Sequence, residues 1–203
     1  MSRATTAYRP VRFLDRLRGN EHWVMLYDDE KRADSIIARY FLNGIRAGGS
    51  CVFFTDEDPA RVRARLAAAG LDVQRYEKER RLRVFLIPTS DSGKEDAMKT
   101  LAAIRRDSTR GMKPPFRFAG RTITDIESVA GMRRGIALEK MGNDHFEEFD
   151  NSQLCFYDVG KLEPSRRTEW VRGLLASHRS VIYASDPGRA VAFETALLEE
   201  EEE

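Results

Sequence analysis

Residues 22–59 read HWVMLYDDEKRADSIIARYFLNGIRAGGSCVFFTDEDP, and their order sets the architecture. The run HWVMLY, 22–27, is apolar without strict alternation, the pattern of a strand covered on both faces. Beyond it the period changes. Ile36, Ile37, Tyr40, Phe41 and Ile45 recur at helical spacing and predict a helix over residues 29–48, which Gly48 and Gly49 terminate. CVFFT, 51–55, is a second short strand rich in β-forming residues. Strand, turn, helix and strand have the outline of a nucleotide-binding unit, but the turn does not fit that use. A phosphate loop needs glycines, whose N–H groups wrap the phosphate, and a lysine that neutralises it. This turn, YDDEKRADS, has no glycine and sets Asp28, Asp29 and Glu30 in a row. Those carboxylates repel a triphosphate and suit the positive end of the helix dipole. The sequence argues against P-loop ATP hydrolysis.

The alternation continues along the chain. Residues 58–70, DPARVRARLAAAG, begin with an aspartate cap and Pro59 in the first turn, and carry Val62, Leu66 and Ala69 on one stripe. LRVFLIP is a third strand, ended by Pro88. Asp91 or Ser92 caps a helix reaching about Ser108. A turn at Pro114 and Pro115 leads into a strand over residues 116–126. Residues 129–149 read as helical but interrupted by glycines, and SQLCFYDV, 152–159, is a strong strand. Residues 162–178 form a helix with Pro164 near its start and Trp170, Leu174 and Leu175 on one stripe; SVIYAS, 180–185, closes the pattern. Strands alternating with helices predict an α/β fold: a mostly parallel sheet with helices on both faces, in three layers. Open sheets of this kind bind ligands at the carboxyl ends of their strands. The residues to inspect there are 27–30, 56–58, 89–92, 125–127, 157–158 and 185–186.

With 203 residues, the chain suits one core-forming domain over residues 21–195, an N-terminal extension over 1–20 and a solvated, disordered acidic tail over 196–203. Its 34 basic and 33 acidic residues leave no bulk polyanion signature, and basic residues show no aromatic interleaving, so no direct nucleic-acid partner is expected. Cys51 and Cys155 make neither a disulfide framework nor a CxxC pair. No apolar run approaches the ~18 residues of a membrane span, and the N-terminus lacks the apolar core of a secretory signal. The reading is a cytoplasmic protein without membrane contact.

Candidate chemistry is scattered. Asp56 and Glu57 follow a strand end, where a general base or a metal-binding carboxylate pair sits, although Asp58 is explained as a helix cap. His22 opens the first strand, and His178 ends a helix, where it is placed to satisfy carbonyls. His145 lies in GNDHFEEF. No two histidines have zinc spacing, so spacing assigns no metal. Cys155 and Tyr157 share one side of their strand by its period of two, and a buried strand cysteine is a packing residue first. No nucleophile elbow or activated thiolate is evident, so no catalytic residue and no cofactor are assigned.

Residues 40–73, YFLNGIRAGGSCVFFTDEDPARVRARLAAAGLDV, resemble the segment of KaiC-branch RecA-like ATPases that runs from the P-loop helix to the acidic pair after the next strand. That likeness sets Asp56 and Glu57 at the positions of the catalytic carboxylates. A closer resemblance spans residues 22–185, to the MEDS domain, the methanogen/methylotroph, DcmR sensory domain, itself similar to a KaiC relative that lost its P-loop. It rests on HWVMLYDDEKRADSIIARYFLNGIRAGGSCVFF with His22 and Tyr27, on FRFAGRTIT, on Glu139 in ALEKMGND, and on LCFYDVGKLEP with the later LLASHRSVI. HRS stands where a histidine–proline pair is more usual, and GRTIT lacks an acidic–aromatic pair.

The resemblance implies a RecA/KaiC-like sheet and a non-catalytic domain of signal transduction. Its ligands would be small molecules, simple hydrocarbon derivatives among them. Its partner in trans would be a signalling protein such as a histidine kinase or transcriptional regulator. The residues implied to hold the ligand are His22, Tyr27, Asp56, Glu57, Cys155, Tyr157 and His178. Two alternatives stay open: a homo-oligomeric scaffold of RecA-like fold, and a residual nucleotide-binding enzyme using Asp56 and Glu57.

Overall fold

The computed structural model describes residues 21–87, 97–144, 146, 151–186 and 189–194. Extension 1–20, the tail from 196, His145, Asp91 and Ser92 lie outside them, as does the stretch 89–92. The described strands are β1 (His22–Tyr27), β2 (Ser50–Thr55), β3 (Leu82–Leu86), β4 (Phe116–Gly120), β5 (Asn151–Asp158), β6 (Ser180–Asp186) and β7 (Arg189–Glu194). The helices are α1 (Glu30–Arg46), α2 (Pro59–Ala68), α3 (Val73–Lys78), α4 (Ala97–Thr109), α5 (Val129–Asp144) and α6 (Arg167–Ala176).

The sheet has the order β3-β2-β4-β5-β1-β6-β7, with β7 antiparallel to β6 and every other neighbouring pair parallel. All six residues of β1 are buried, as its unalternating sequence requires of a central strand. Its period of two splits them between two cores. Trp23, Met25 and Tyr27 join Ile37, Tyr40 and Phe41 of α1 and Val62 and Leu66 of α2 on one face. Val24 and Leu26 join Met132 of α5 and Trp170 and Leu174 of α6 on the other.

Local chemistry sets the element ends. The Asp29 carboxylate accepts from the Arg32 amide and caps α1, and Asp58 does the same for α2 through Ala60. Gly48 leaves α1 at a φ of +94°, a conformation that side chains with a Cβ rarely adopt.

Several elements differ from the sequence reading. The strand expected over 116–126 stops at Gly120. Beyond it the Asp125 carboxylate accepts from the Ser128 amide at 3.2 Å, a local turn that competes with strand pairing. The glycines expected to interrupt residues 129–149 do not. Residues 129–144 are one helix, and Gly131 and Gly135 let it approach the 121–128 loop, where a Cβ would overlap the Asp125 carbonyl or the Ile123 side chain. The helix expected over 162–178 is divided, because Glu163 binds the Ser165 amide at 2.8 Å and Trp170 Nε1 at 2.9 Å and so holds a short 3-10 turn ahead of α6. Strand β7 and helix α3 have no counterpart in the sequence reading.

Candidate functional site

The predicted site residues fall into two places. At the carboxyl edge of the sheet, Asp56 and Glu57 follow β2, and Arg121 follows β4. Arg121 binds Asp56 at 2.7 Å and lies 3.8 Å from Glu57. Arg65 of α2 binds Glu30 at 2.6 Å and lies 3.3 Å from Glu57 and 3.4 Å from Asp34. Glu30, Asp34, Asp56 and Glu57 are thus tied to two arginines. Burial pushes the Asp34 carboxyl up to about 6, with Arg65 opposing. Beside this network lies a cleft of about 450 Å³ lined by Glu57, Arg121, Thr124, Asp125, Glu127 and Lys161.

Tyr27, the last residue of β1, lies at the carboxyl edge, close enough to Asp158, Arg121, Glu30 and Arg65 to feel their charges. It lies five residues from His22, an odd number, so it projects from the opposite face of β1. There its ring packs 6.4 Å from Phe156, and burial raises its hydroxyl to about 12. Cys155 and Tyr157, expected beside it in one pocket, join the core on the other face of the sheet.

The other four converge. His22 opens β1, Cys155 and Tyr157 stand on β5, and His178 follows α6. β1 and β5 run parallel with Val24 opposite Cys155, which brings His22 and Cys155 onto one face. The fifth member is Glu139, on the buried side of α5. His22 Nε2 lies 3.5 Å from Cys155 Sγ and 3.9 Å from Glu139 Oε2. Glu139 Oε2 lies 3.7 Å from His178 Nε2 and 3.7 Å from Cys155 Sγ. Tyr157 donates a short hydrogen bond to Glu139 Oε1 and accepts from the Ile123 amide at 3.3 Å. All five residues are at most 2% exposed.

An outer layer orients this group. His178 Nδ1 donates to the Leu174 carbonyl at 2.7 Å, and His22 Nδ1 donates to Asn143 Oδ1 at 3.3 Å. Both imidazoles thereby turn an Nε2 lone pair inward. Gln153 donates to Cys155 Sγ at 3.1 Å and accepts from Arg105 at 3.0 Å. The Phe146 ring stacks on His22 at 4.8 Å, and the two histidine rings lie 4.1 Å apart.

Burial dominates the electrostatics and favours every neutral form. It holds His22 down to about 3, helped by neighbouring His178 and opposed by Glu139 and the Asn143 bond. It holds His178 down to about 4, against the bond to Leu174. Glu139 is raised by burial, opposed by His22 and the Tyr157 bond. Cys155 and Tyr157 are raised well above their ordinary values, by burial first and Glu139 second. Cys155 is therefore no resting thiolate. Among the described residues, His22, Glu139, Cys155 and His178 offer donor atoms that all lie within 4.8 Å of one another, the chemistry of a ligand- or metal-holding centre.

Sequence reasoning noted Glu139 but not as a site residue, and passed over Asn143 and Gln153. The signal was present. Met132, Gly135, Glu139 and Asn143 recur at spacings of three and four, so Glu139 sits on the core-facing stripe of α5, where an apolar residue is the ordinary occupant.

Comparisons with known proteins agree with this architecture. A family model described as the MEthanogen/methylotroph, DcmR Sensory domain (MEDS) matches residues 21–179. No curated protein matches the chain. Among solved structures, a KaiC-like protein of the hyperthermophilic archaeon Pyrococcus horikoshii OT3 superposes with a TM-score of 0.61 at 16% identity, covering 88% of this chain and 80% of that one. A second P. horikoshii OT3 protein, PH0250, superposes with a TM-score of 0.60 at 14% identity, covering 89% of each chain. At these identities the likeness is one of fold, a RecA/KaiC-like α/β sheet.

Proposed function

The chain belongs to the MEDS family of sensory domains, and from that premise we propose that it is a non-catalytic sensor that recognises a small molecule at the buried centre and reports its occupancy to a separate signalling protein, a kinase or a transcriptional regulator. The observation that carries this reading is the convergence of His22, Glu139, Cys155, Tyr157 and His178 from four parts of the fold onto one point. Groups of this kind are costly to bury unless their partners are supplied. A ligand with a small apolar body and one polar group suits such a centre, where the Phe146 ring stacked on His22 offers an apolar contact beside the polar atoms.

Sensing needs a ligand whose affinity differs between two states of the protein. Glu139 supplies a route. It reaches the centre from α5, so occupancy acts on the seat of α5 against the sheet, and α5 carries exposed Arg133, Arg134 and Lys140 on its outer side. In this reading that outer side is the surface that passes the signal to a partner. At the carboxyl edge, the engagement of Asp56 and Glu57 by Arg65 and Arg121 supports a domain without catalytic chemistry.

A thermal-shift screen of short alcohols, aldehydes, carboxylic acids, halomethanes and nucleotides tests this reading. A ligand of the native state raises the melting temperature, by about 2.7 kcal/mol of stability at a hundredfold excess over Kd. The expected hit is a small organic molecule whose shift is lost in His178→Gln and kept in Arg121→Ala. A shift given by nucleotides, and abolished by Arg121→Ala alone, contradicts it.

A further inference from the structure

The donor set of the buried centre fits a cation. We infer that His22 Nε2, His178 Nε2, Cys155 Sγ and Glu139 Oε2 form a tetrahedral site for a divalent transition metal of the zinc type, through which this domain holds its ligand. The inference rests on the reading of the buried centre as the recognition point.

Four observations carry it. The first is donor geometry. Bonds of about 2.0–2.3 Å at tetrahedral angles separate donor atoms by roughly 3.3–3.6 Å. The separations here are 3.5 Å for His22 and Cys155, 3.7 Å for Glu139 with Cys155 and with His178, and 3.9 Å for Glu139 and His22. All six separations lie within 4.8 Å, so closing the four donors on an ion takes shifts of up to about an ångström.

The second is the outer layer. Metal-bound histidines ordinarily donate their second ring N–H to a carbonyl or side-chain oxygen, which fixes the tautomer and aims the other nitrogen at the ion. His178 does this through the Leu174 carbonyl and His22 through Asn143. Tyr157 holds the far oxygen of Glu139, and Gln153 holds Cys155.

The third is charge. One thiolate and one carboxylate balance a divalent ion, so the loaded centre places no net charge in the interior. The fourth is donor chemistry. A set of two imidazoles, one thiolate and one carboxylate is typical of zinc and its neighbours and unlike the all-oxygen sets of calcium and magnesium. A carboxylate is also the most readily displaced of the four, which leaves a position where a small polar ligand takes the place of Glu139 and releases α5.

The centre is fully buried, so loading is tested both in the cell and by refolding. The full chain is produced in zinc-supplemented medium, and its metal is counted by elemental analysis. It is also refolded from denaturant with cobalt(II). The expected results are about one zinc per chain and, with cobalt, the visible bands of a tetrahedral ion together with a thiolate-to-cobalt charge-transfer band. Cys155→Ser removes the charge-transfer band, Asn143→Ala weakens binding about 10–100-fold, and Arg121→Ala leaves both signals unchanged. Absence of bound metal and of the cobalt bands in the folded wild-type chain overturns the inference, whatever the variants do. So does a charge-transfer band that persists in Cys155→Ser. The two readings fail separately. Metal binding with no small-molecule hit upholds the site and sinks the sensor, and a hit on metal-free protein does the reverse.

Discussion

Tyr157 and Glu139 show at the residue scale how the centre is held. The Tyr157 hydroxyl accepts from the Ile123 amide and donates to Glu139, with neither residue reaching solvent. Tyr157→Phe strands both partners in the interior, and an unmet buried polar group costs about 1–3 kcal/mol. The expected outcome is a lower urea midpoint with an unchanged denaturant slope, read by circular dichroism. Acid acts on the same group. Burial holds His22 at about 3 and His178 at about 4, below their ordinary 6.5, so the unfolded chain binds protons that the metal-free native state refuses. The stability this gives is full above about pH 6.5 and is lost as pH falls toward the folded values. Glu139 is shifted the other way, and its contribution is lost as pH rises. Two imidazoles act against one carboxyl, so metal-free protein is less stable at pH 5 than at pH 6. Urea midpoints at the two pH values check this, and His178→Gln flattens the difference. At this scale the sequence was legible where chemistry and position coincide. His22, Cys155, Tyr157 and His178 were named because they are chemically competent residues in or beside apolar strands. Tyr27 was grouped with them although the strand period places it on the other face.

Helix α5 carries the argument at the element scale. Gly131 and Gly135 let it sit close to the 121–128 loop, and the same stripe delivers Glu139 and Asn143 to the centre. Gly135→Ala puts a methyl group into Ile123, and overpacking of this sort costs about 1–3 kcal/mol. Gly142→Ala on the same helix meets nothing within 4 Å and gains about 0.5–1 kcal/mol from helix propensity. Thermal melts of the two variants should move in opposite directions. In sequence all three glycines look alike, as interruptions, because propensity is local while the packing that Gly131 and Gly135 permit comes from residues 123 and 125. Strand β7 escaped notice for a related reason. It is a short edge strand, and its pairing with β6 supplies the partner that AVAF alone does not announce.

The whole molecule is a RecA/KaiC-like sheet that carries polar residues at its carboxyl edge and in a buried centre. In open α/β sheets the carboxyl edge is the ligand edge. Here that edge carries Glu30, Asp34, Asp56 and Glu57 bound to Arg65 and Arg121, and α1 starts on an acidic turn. Titration calorimetry with ATP and magnesium is expected to give no saturable heat, and a saturable isotherm would restore the nucleotide reading. The layered α/β fold was legible from βα alternation alone, because unalternating strands of this kind are stable only when covered on both faces. The location of the centre was not, since it depends on strand order, and β5 lies beside β1 only after the chain has passed through β2, β3 and β4.

That location is the central claim, and amide hydrogen exchange of refolded metal-free protein, with and without one equivalent of zinc, tests it most directly. The account predicts added protection in β1, β5, the second half of α5 and the α6–β6 turn, with none at residues 28–31 and 56–58. Protection confined to those two loops, or none anywhere in the chain, would contradict it.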